Sequence, residues 1–412
     1  MRQPLFVLLA VLLIDAIGLG LIMPILPGLL QSMAGGGDAY SFHYGALLAV
    51  YALAQFLCAP LLGALSDRYG RRRVLLVSLG GAALDYLLMA LAPSLAWLYL
   101  GRVLAGVTGA NMAVASAYLT DITPPPQRAA RFGQMGAAIG MGFIAGPVLG
   151  GLLGDWMLRA PFVLAALFNA ANLLLVWWLL PEPHPAGRSG PATPATPAAA
   201  VFGSLNAFAA LHRLRGRAGL GPLVGVFGVV MLASQWPATL WILYGQDHFG
   251  WSLWLGGLSL ACYGLCHALA QAFAIGPLVA RMGELRALWV GMACEALGLL
   301  LLAFAESGWE PFALLPFFAA GGMAVPALQA LITGRIDDEH QGEMQGTLAS
   351  ITSLIGVGGP LLVTSLYAAS RALWPGLVWA VGAAAYLLVL PLLLRHRRAG
   401  AGTGIGAMPA AD

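Results

Sequence analysis

Apolar residues do not recur along this chain with the period of a surface helix; they run in stretches of about 20, separated by short polar intervals. About 20 predominantly apolar residues in a helix cross a hydrocarbon core of about 30 Å. Twelve such runs are found: Pro4–Leu30, Tyr44–Ala64, Val74–Ala92, Trp97–Tyr118, Phe132–Leu153 and Pro161–Leu180, then Gly221–Tyr244, Leu253–Ala280, Ala287–Ala305, Phe312–Thr333, Thr347–Ala368 and Pro375–Leu394. Only helices and closed barrels satisfy their backbone groups in lipid, and these runs are too long for barrel strands. The pattern predicts an all-α integral membrane protein with twelve transmembrane helices in two pseudo-symmetric six-helix bundles.

The longest polar interval sets the organisation. Residues 1–180 are expected to form the first bundle, 181–220 a cytoplasmic linker, 221–395 the second bundle and 396–412 a disordered tail. Pro185–Ala200 is rich in Pro, Ala, Thr and Gly and cannot bury a core, so a mobile linker is expected. Phe202–Leu214 reads as a short interfacial helix, with Arg213, Arg215 and Arg217 near the headgroups. An internal repeat supports two halves. At an offset of 213, Gly63, Leu65, Arg68, Gly70 and Arg73 coincide with Gly276, Leu278, Arg281, Gly283 and Arg286. Ala280 stands opposite Asp67, so the copies are not equivalent. Duplicated halves are the organisation of a rocking secondary transporter with its site at the midplane.

Composition agrees. The 412 residues are 60% hydrophobic and only 9% charged, with a mean hydropathy of +0.83; an ordinary soluble protein is about a quarter charged. All 20 basic residues are arginine. Without lysine there is no P-loop to hold ATP and no Schiff-base chemistry. With both termini inside, 17 arginines face the cytoplasm and only Arg159 and Arg371 the other side, while Arg102 lies within the fourth run. The positive-inside rule therefore predicts cytoplasmic termini. The first run carries Asp15 and no small-residue cleavage site, unlike a signal peptide. Cys58, Cys262, Cys266 and Cys294 all sit in apolar runs, where cysteine acts as a small hydrophobe. Cys262, Cys266 and His267 offer no clear fourth ligand for a metal.

The chemistry is expected from the few ionisable groups deep in the apolar runs: Asp15, Asp85, Arg102, His267 and Glu295. A charge at the bilayer centre costs about 2.5–3.5 kcal/mol on insertion scales, so five of them imply a watered cavity or mutual pairing. Asp15, near the midplane of the first run, is expected to pair with Arg102. A carboxylate poised between desolvation and a cation can load and release a proton. The plainer reading is a permanent ion pair between the first and fourth runs. Asp85 is a functional candidate by its depth alone, although it could equally face a polar pocket off the route. Imidazole suits His267 to proton transfer, against the alternative of a simple interhelical hydrogen bond. Glu295 completes the second-half pair. Gln55, Asn111, Asn169, Asn172, Gln235, Gln271 and Gln329 are candidate cavity amides or, equally, interhelical hydrogen bonders.

Several segments carry a resemblance. The loop Gly63–Arg73 resembles the signature between helices two and three of the major facilitator superfamily, and Leu98–Gly106 its fourth-helix arginine motif. Gly136–Gly151, with Gly140, Gly142, Gly146, Pro147, Gly150 and Gly151, resembles the fifth-helix antiporter motif of its twelve-helix drug exporters. Asp15–Pro27, Leu84–Leu88, Gln235–Trp241, the His267–Gln271 segment and Pro326–Gln329 look like the tetracycline efflux proteins. The resemblance covers roughly residues 4 to 395. It implies export of a tetracycline–divalent metal chelate, with Mg²⁺ or a similar ion as cargo and no bound cofactor, in exchange for protons across a bacterial inner membrane. A singly charged chelate exchanged for one proton would be electrically silent, since each charge is otherwise worth about 2.3 kcal/mol per 100 mV.

The resemblance also places an important acidic residue at Asp85, strengthens His267, and favours Gln235, Gln271 and Gln329 as substrate residues beside Gln55 and Asn111. Glu295 departs from the usual Asp, and Asn111 from the relatives' pattern. Gly63, Asp67, Arg68, Gly70, Arg71 and Asp121 are expected to form a gate. Gly63 and Gly70 would allow close packing and a tight turn, Asp67 would face the start of the eleventh run near Thr347, and Arg71 would pair with Asp121. Gly142, Gly146, Pro147 and Gly150 are expected to give close helix packing and a kink. A monomer without nucleic-acid partners is expected. A broader drug or metabolite/H⁺ antiporter is the same-fold alternative. A membrane enzyme lacks a nucleophile–base motif here, and a channel would not need duplicated halves.

Overall fold

The computed structural model describes residues 2–34, 38–183, 220–336 and 341–392. The expected interfacial helix at Phe202–Leu214, most of the linker and the tail lie outside the described residues. Among the described residues, eleven helices are long and apolar enough to cross a membrane: α1 (Gln3–Ala34), α2 (Tyr40–Tyr69), α3 (Arg71–Leu91), α4 (Leu95–Ile122), α5 (Ala130–Trp156), α6 (Ala160–Leu179), α7 (Leu220–His248), α8 (Leu253–Met282), α9 (Glu284–Ala303), α10 (Glu310–Thr333) and α11 (Met344–Ser370). The shorter apolar helix α12 (Leu377–Leu392) makes twelve. No strand occurs among the described residues, so the twelve-helix reading holds.

Four of these helices are interrupted where the hydropathy pattern is continuous. The α-helical ladder lapses between Ile22 and Leu26 in α1, between Thr108 and Asn111 in α4, at Ser234 in α7, and between Gly321 and Ala324 in α10. Proline explains three of them. Its ring clashes with the carbonyl four residues back, and it has no N–H to give. Counting back four from Pro27, Pro237 and Pro326 reaches Met23, Ala233 and Gly322, each at a lapse. In α4 no proline is present, and the lapse falls at Gly109. Gly109 and Gly322 occupy equivalent positions of the repeat at the offset of 213. Two further irregularities are the π-helical stretch Ala270–Ile275 in α8 and the 3-10 stretch Tyr386–Leu388 in α12.

The antiporter-motif glycines do what their size allows. A Cβ at Gly142 would lie 2.5 Å from the Ala16 Cβ, and one at Gly146 would lie 2.6 Å from the Ile17 carbonyl oxygen. A Cβ at Gly150 would overlap the Leu21 carbonyl. Helix α5 therefore lies backbone to backbone on α1 around Asp15, whereas Gly136 and Gly140 face open space. Asn172 of α6, fully buried, donates to the Val11 carbonyl at 3.0 Å and ties α6 to α1. Between these ties a core of Leu8, Val11, Leu12, Leu75, Leu79, Val114, Tyr118 and Val176 closes the first half.

Contacts group the described residues into two compact units. The first holds those of Met1–Gly203 together with Thr239–Leu265 and Pro360–Ala368; the second holds those of Ser204–Ala238, Cys266–Gly359 and Ala369–Asp412. Within the first unit, the Asp155 carboxylate at the end of α5 accepts from the Leu253 and Trp254 amides at 3.0 and 3.2 Å, capping the start of α8. Gly151 and Gly257 make that approach possible, because a Cβ on Gly151 would sit 2.5 Å from the Leu253 carbonyl oxygen and one on Gly257 would strike the Pro147 carbonyl. In the same unit the Tyr367 hydroxyl donates to Asp247 at 2.6 Å.

Candidate functional site

The first unit collects its ionisable groups where α1, α2, α3 and α4 meet. Asp85 and Arg102 form a buried ion pair between α3 and α4, their side chains 2% and 7% exposed. Gly101 permits it: a Cβ there would stand 2.6 Å from Asp85 Oδ1. The guanidinium also contacts Met89 Sδ at 3.0 Å and lies 5.6 Å from the centroid of the Tyr51 ring. This corrects the expected Asp15–Arg102 pair. Asp85 reaches Arg102 first because α3 and α4 are consecutive antiparallel helices brought together at a glycine.

Asp15 is buried against an amide instead. Asn111 Nδ2 donates to Asp15 Oδ1 at 3.1 Å. Asn111 is the first residue of the second segment of α4. Gln55 of α2 spends its own amide on the lapse just upstream, donating to the Gly109 carbonyl at 2.9 Å and lying 3.1 Å from the Tyr51 hydroxyl. Gln55 and Asn111, expected as drug contacts, thus hydrogen-bond within this cluster, to the Gly109 carbonyl and to Asp15. Asn169 donates within its own helix to Ala165, and Asn172 to α1.

The second unit gathers His267, Gln271 and Glu295 around the lapse in α10. A Cβ on Gly322 would overlap the His267 ring, and one on Gly321 would sit 2.8 Å from the Glu295 Cβ. The adjacent glycines therefore seat the imidazole of α8 and the carboxylate of α9 on one interruption. Tyr386 of α12 lies beside Glu295. Gln271 Nε2 is 3.4 Å from His267 Nε2 and falls in the π-helical stretch, whose wider turn re-aims side chains. Gln235 packs on Gly359 in the same unit, and Gln329 is half-buried in the second segment of α10.

At the α2–α3 loop, Arg71 joins three partners: Asp67 at 2.6 Å, Asp121 at 3.1 Å and Ser66 Oγ at 2.6 Å. The expected Arg71–Asp121 pair is present. Arg68 stacks on Tyr69 at 5.3 Å and stays exposed. Gly70 has φ of +104°, the region that favours glycine. Gly63 does not serve close packing, because nothing lies within 4 Å of a Cβ built there. Its carbonyl accepts instead from Ser66 Oγ at 2.7 Å.

Sequence reasoning missed Glu182. Its carboxylate accepts from the Arg71 and Arg72 amides at 2.8 and 3.1 Å, capping α3 from the end of α6. Arg72 returns the tie by donating to the Val176 and Trp177 carbonyls, and the Tyr118 hydroxyl donates to the Pro181 carbonyl at 2.7 Å. A signal existed. Three arginines in the first turn of a helix that starts behind a glycine oppose the helix dipole and call for an anion from elsewhere. The lapses and Asp155 left weaker traces in the sequence.

Comparison with known proteins places this geometry. The sequence profile of the Major Facilitator Superfamily matches residues 8–261 and 223–409. The class C tetracycline resistance protein of Escherichia coli is 51% identical over 394 residues, covering 96% of this chain and 97% of that protein. The class G protein of Vibrio anguillarum is 48% identical over 395 residues, covering 96% and 98%. The crystal structure of the human organic anion transporter MFSD10 (TETRAN) superposes with a TM-score of 0.66 at 26% identity, over 95% of this chain and 99% of that one. Twelve apolar helices, a buried first-half ion pair and relatedness over nearly the full length converge: the chain belongs to the major facilitator superfamily and, within it, to the tetracycline resistance proteins.

Proposed function

We propose that this multi-pass membrane protein exports tetracycline, carried as a chelate with Mg²⁺ or a similar divalent ion, in exchange for protons. It is a transporter rather than an enzyme, works as a monomer in a bacterial inner membrane, and keeps both termini in the cytoplasm. The substrate rests on one observation, the 51% identity to a tetracycline resistance protein across 96% of the chain. The proton half of the cycle is assigned to Asp15. Its carboxylate is buried and held by a neutral amide, while the intramembrane guanidinium is taken by Asp85. A carboxylate without a fixed counter-ion can take up and release a proton without breaking an ion pair. Asp85 and Arg102 hold the first half together, and His267 with Glu295 forms the second proton-handling pair. Gln235, Gln271 and Gln329 are assigned to the drug.

Everted membrane vesicles test the reading, since adding tetracycline with Mg²⁺ should alkalinise the acidified lumen. Absence of that signal from vesicles containing folded protein would refute proton-coupled tetracycline export. The likeness to the organic anion transporter MFSD10 supports a second reading, a broader drug or metabolite/H⁺ antiporter of the same fold. Alkalinisation by unrelated organic anions at comparable concentrations would favour it.

A further inference from the structure

We propose that Asn111 is a two-faced positioning residue for Asp15, its amide nitrogen serving the carboxylate and its carbonyl oxygen, after the amide turns over, serving the carboxylic acid. The inference rests on Asp15 as the proton carrier and assigns the residue that keeps it hydrogen-bonded in both charge states.

The argument starts at the lapse in α4. The Ala110 amide donates to Thr108 at 2.8 Å and the Gly109 amide to Gly106 at 3.3 Å, so the regular four-residue ladder is skipped there. Gln55 satisfies the freed Gly109 carbonyl. Each helical residue turns the chain by about 100°, so residues left out of the ladder re-aim everything after them. The first helical residue after the lapse is Asn111, and its Nδ2 meets Asp15 Oδ1 at 3.1 Å. Helix α1 cannot drift away at this level, because Gly142 and Gly146 of α5 hold its backbone around Ala16 and Ile17.

The second observation is the other end of the amide. Asn111 Oδ1 is buried and has no hydrogen-bond partner among the described residues. A buried acceptor left idle costs about 1–3 kcal/mol and calls for an explanation. A carboxylate only accepts, and a carboxylic acid also donates one hydrogen, while a primary amide carries a donor and an acceptor related by a half-turn about one bond. Nδ2 therefore fits the charged form. When a proton arrives on Asp15, rotation of the amide presents Oδ1 to the new O–H. The proton moves on and off Asp15 Oδ with no covalent change at Asn111. The idle oxygen is then the partner kept in reserve for the protonated state. Asn111 acts through Asp15 and not as a drug ligand.

The test compares N111L, N111T and D15N with the wild-type chain in liposomes under an imposed pH gradient. Mg²⁺–tetracycline binding, the KM and turnover of exchange, and thermal unfolding in detergent are all read. N111L keeps the size of the side chain without its hydrogen bonds. Its turnover should fall roughly ten- to a hundredfold, as expected when a hydrogen bond to a charged group is withdrawn, with drug binding and KM within about twofold of wild type. N111T, whose hydroxyl both donates and accepts, should recover much of that loss, which a purely structural role would not predict. Wild-type turnover in N111L overturns the proposal, as does a loss confined to drug binding or N111T no better than N111L. D15N distinguishes the two levels. Coupled exchange by D15N sinks the Asp15 reading together with this one, whereas an uncoupled D15N beside a fully active N111L sinks this one alone.

Discussion

Replacing Arg102 by methionine should be far more damaging than removing the whole Asp85–Arg102 pair. In R102M the Asp85 side chain stays 2% exposed with no cation against it. Its Oδ1 already lacks a hydrogen-bond partner among the described residues, so withdrawing the guanidinium strips Oδ2 as well. Breaking one side of a buried pair costs about 3–5 kcal/mol, whereas replacing both sides with apolar residues of similar volume is about neutral or even stabilising. Met89 and the Tyr51 ring already provide a soft, apolar lining for a methionine at 102. The double variant D85L/R102M should therefore unfold close to wild type, and the coupling in the double-mutant cycle should about equal the summed cost of the two single variants, roughly 6–10 kcal/mol. The assay is equilibrium unfolding of the purified protein in detergent micelles, followed by tryptophan fluorescence. If R102M cost less than about 1 kcal/mol and the two single effects summed to the double, the pair would not be what holds α3 to α4. Asp85 would then return to the list of proton carriers.

Three further outcomes follow from close contacts. G150A should yield little folded protein, because its Cβ would overlap the Leu21 carbonyl, whereas G140A, facing open space, should be indistinguishable from wild type in yield and export. D155A uncaps α8 at Leu253 and Trp254. It should cost about 0.5–2 kcal/mol, with faster amide hydrogen exchange at the first turn of α8, and equal exchange in both proteins would refute the cap. G322A pushes on the His267 ring. It should leave a folded, drug-binding protein with impaired proton exchange in the vesicle assay, and unimpaired exchange would remove His267 from the cycle.

How much was legible in the chain varies by residue. The Arg71–Asp121 pair could be read because the α2–α3 loop and the end of α4 lie at one membrane face, where few partners compete. Asp15 with Arg102 was misread, because depth in the bilayer says which residues need compensation but not which neighbour supplies it. Gln55 and Asn111 were recognised as interior amides, but the partners they take, the Gly109 carbonyl and Asp15, were unreadable for the same reason. Glu182 went unseen because its value depends on the end of α6 reaching the start of α3, about 110 residues earlier.

Lipid is a simple solvent, and it lets a one-dimensional pattern settle a good deal. Twelve runs of sufficient length must become helices, since no other open structure satisfies its backbone there. The prolines that interrupt three of them are likewise local facts, readable once the carbonyl four residues back is considered. Partner choice is not local. Whether a buried carboxylate meets a guanidinium or an amide depends on helix rotation and on which glycines let two backbones touch. Those quantities exist only after α1, α3, α4 and α5 have packed.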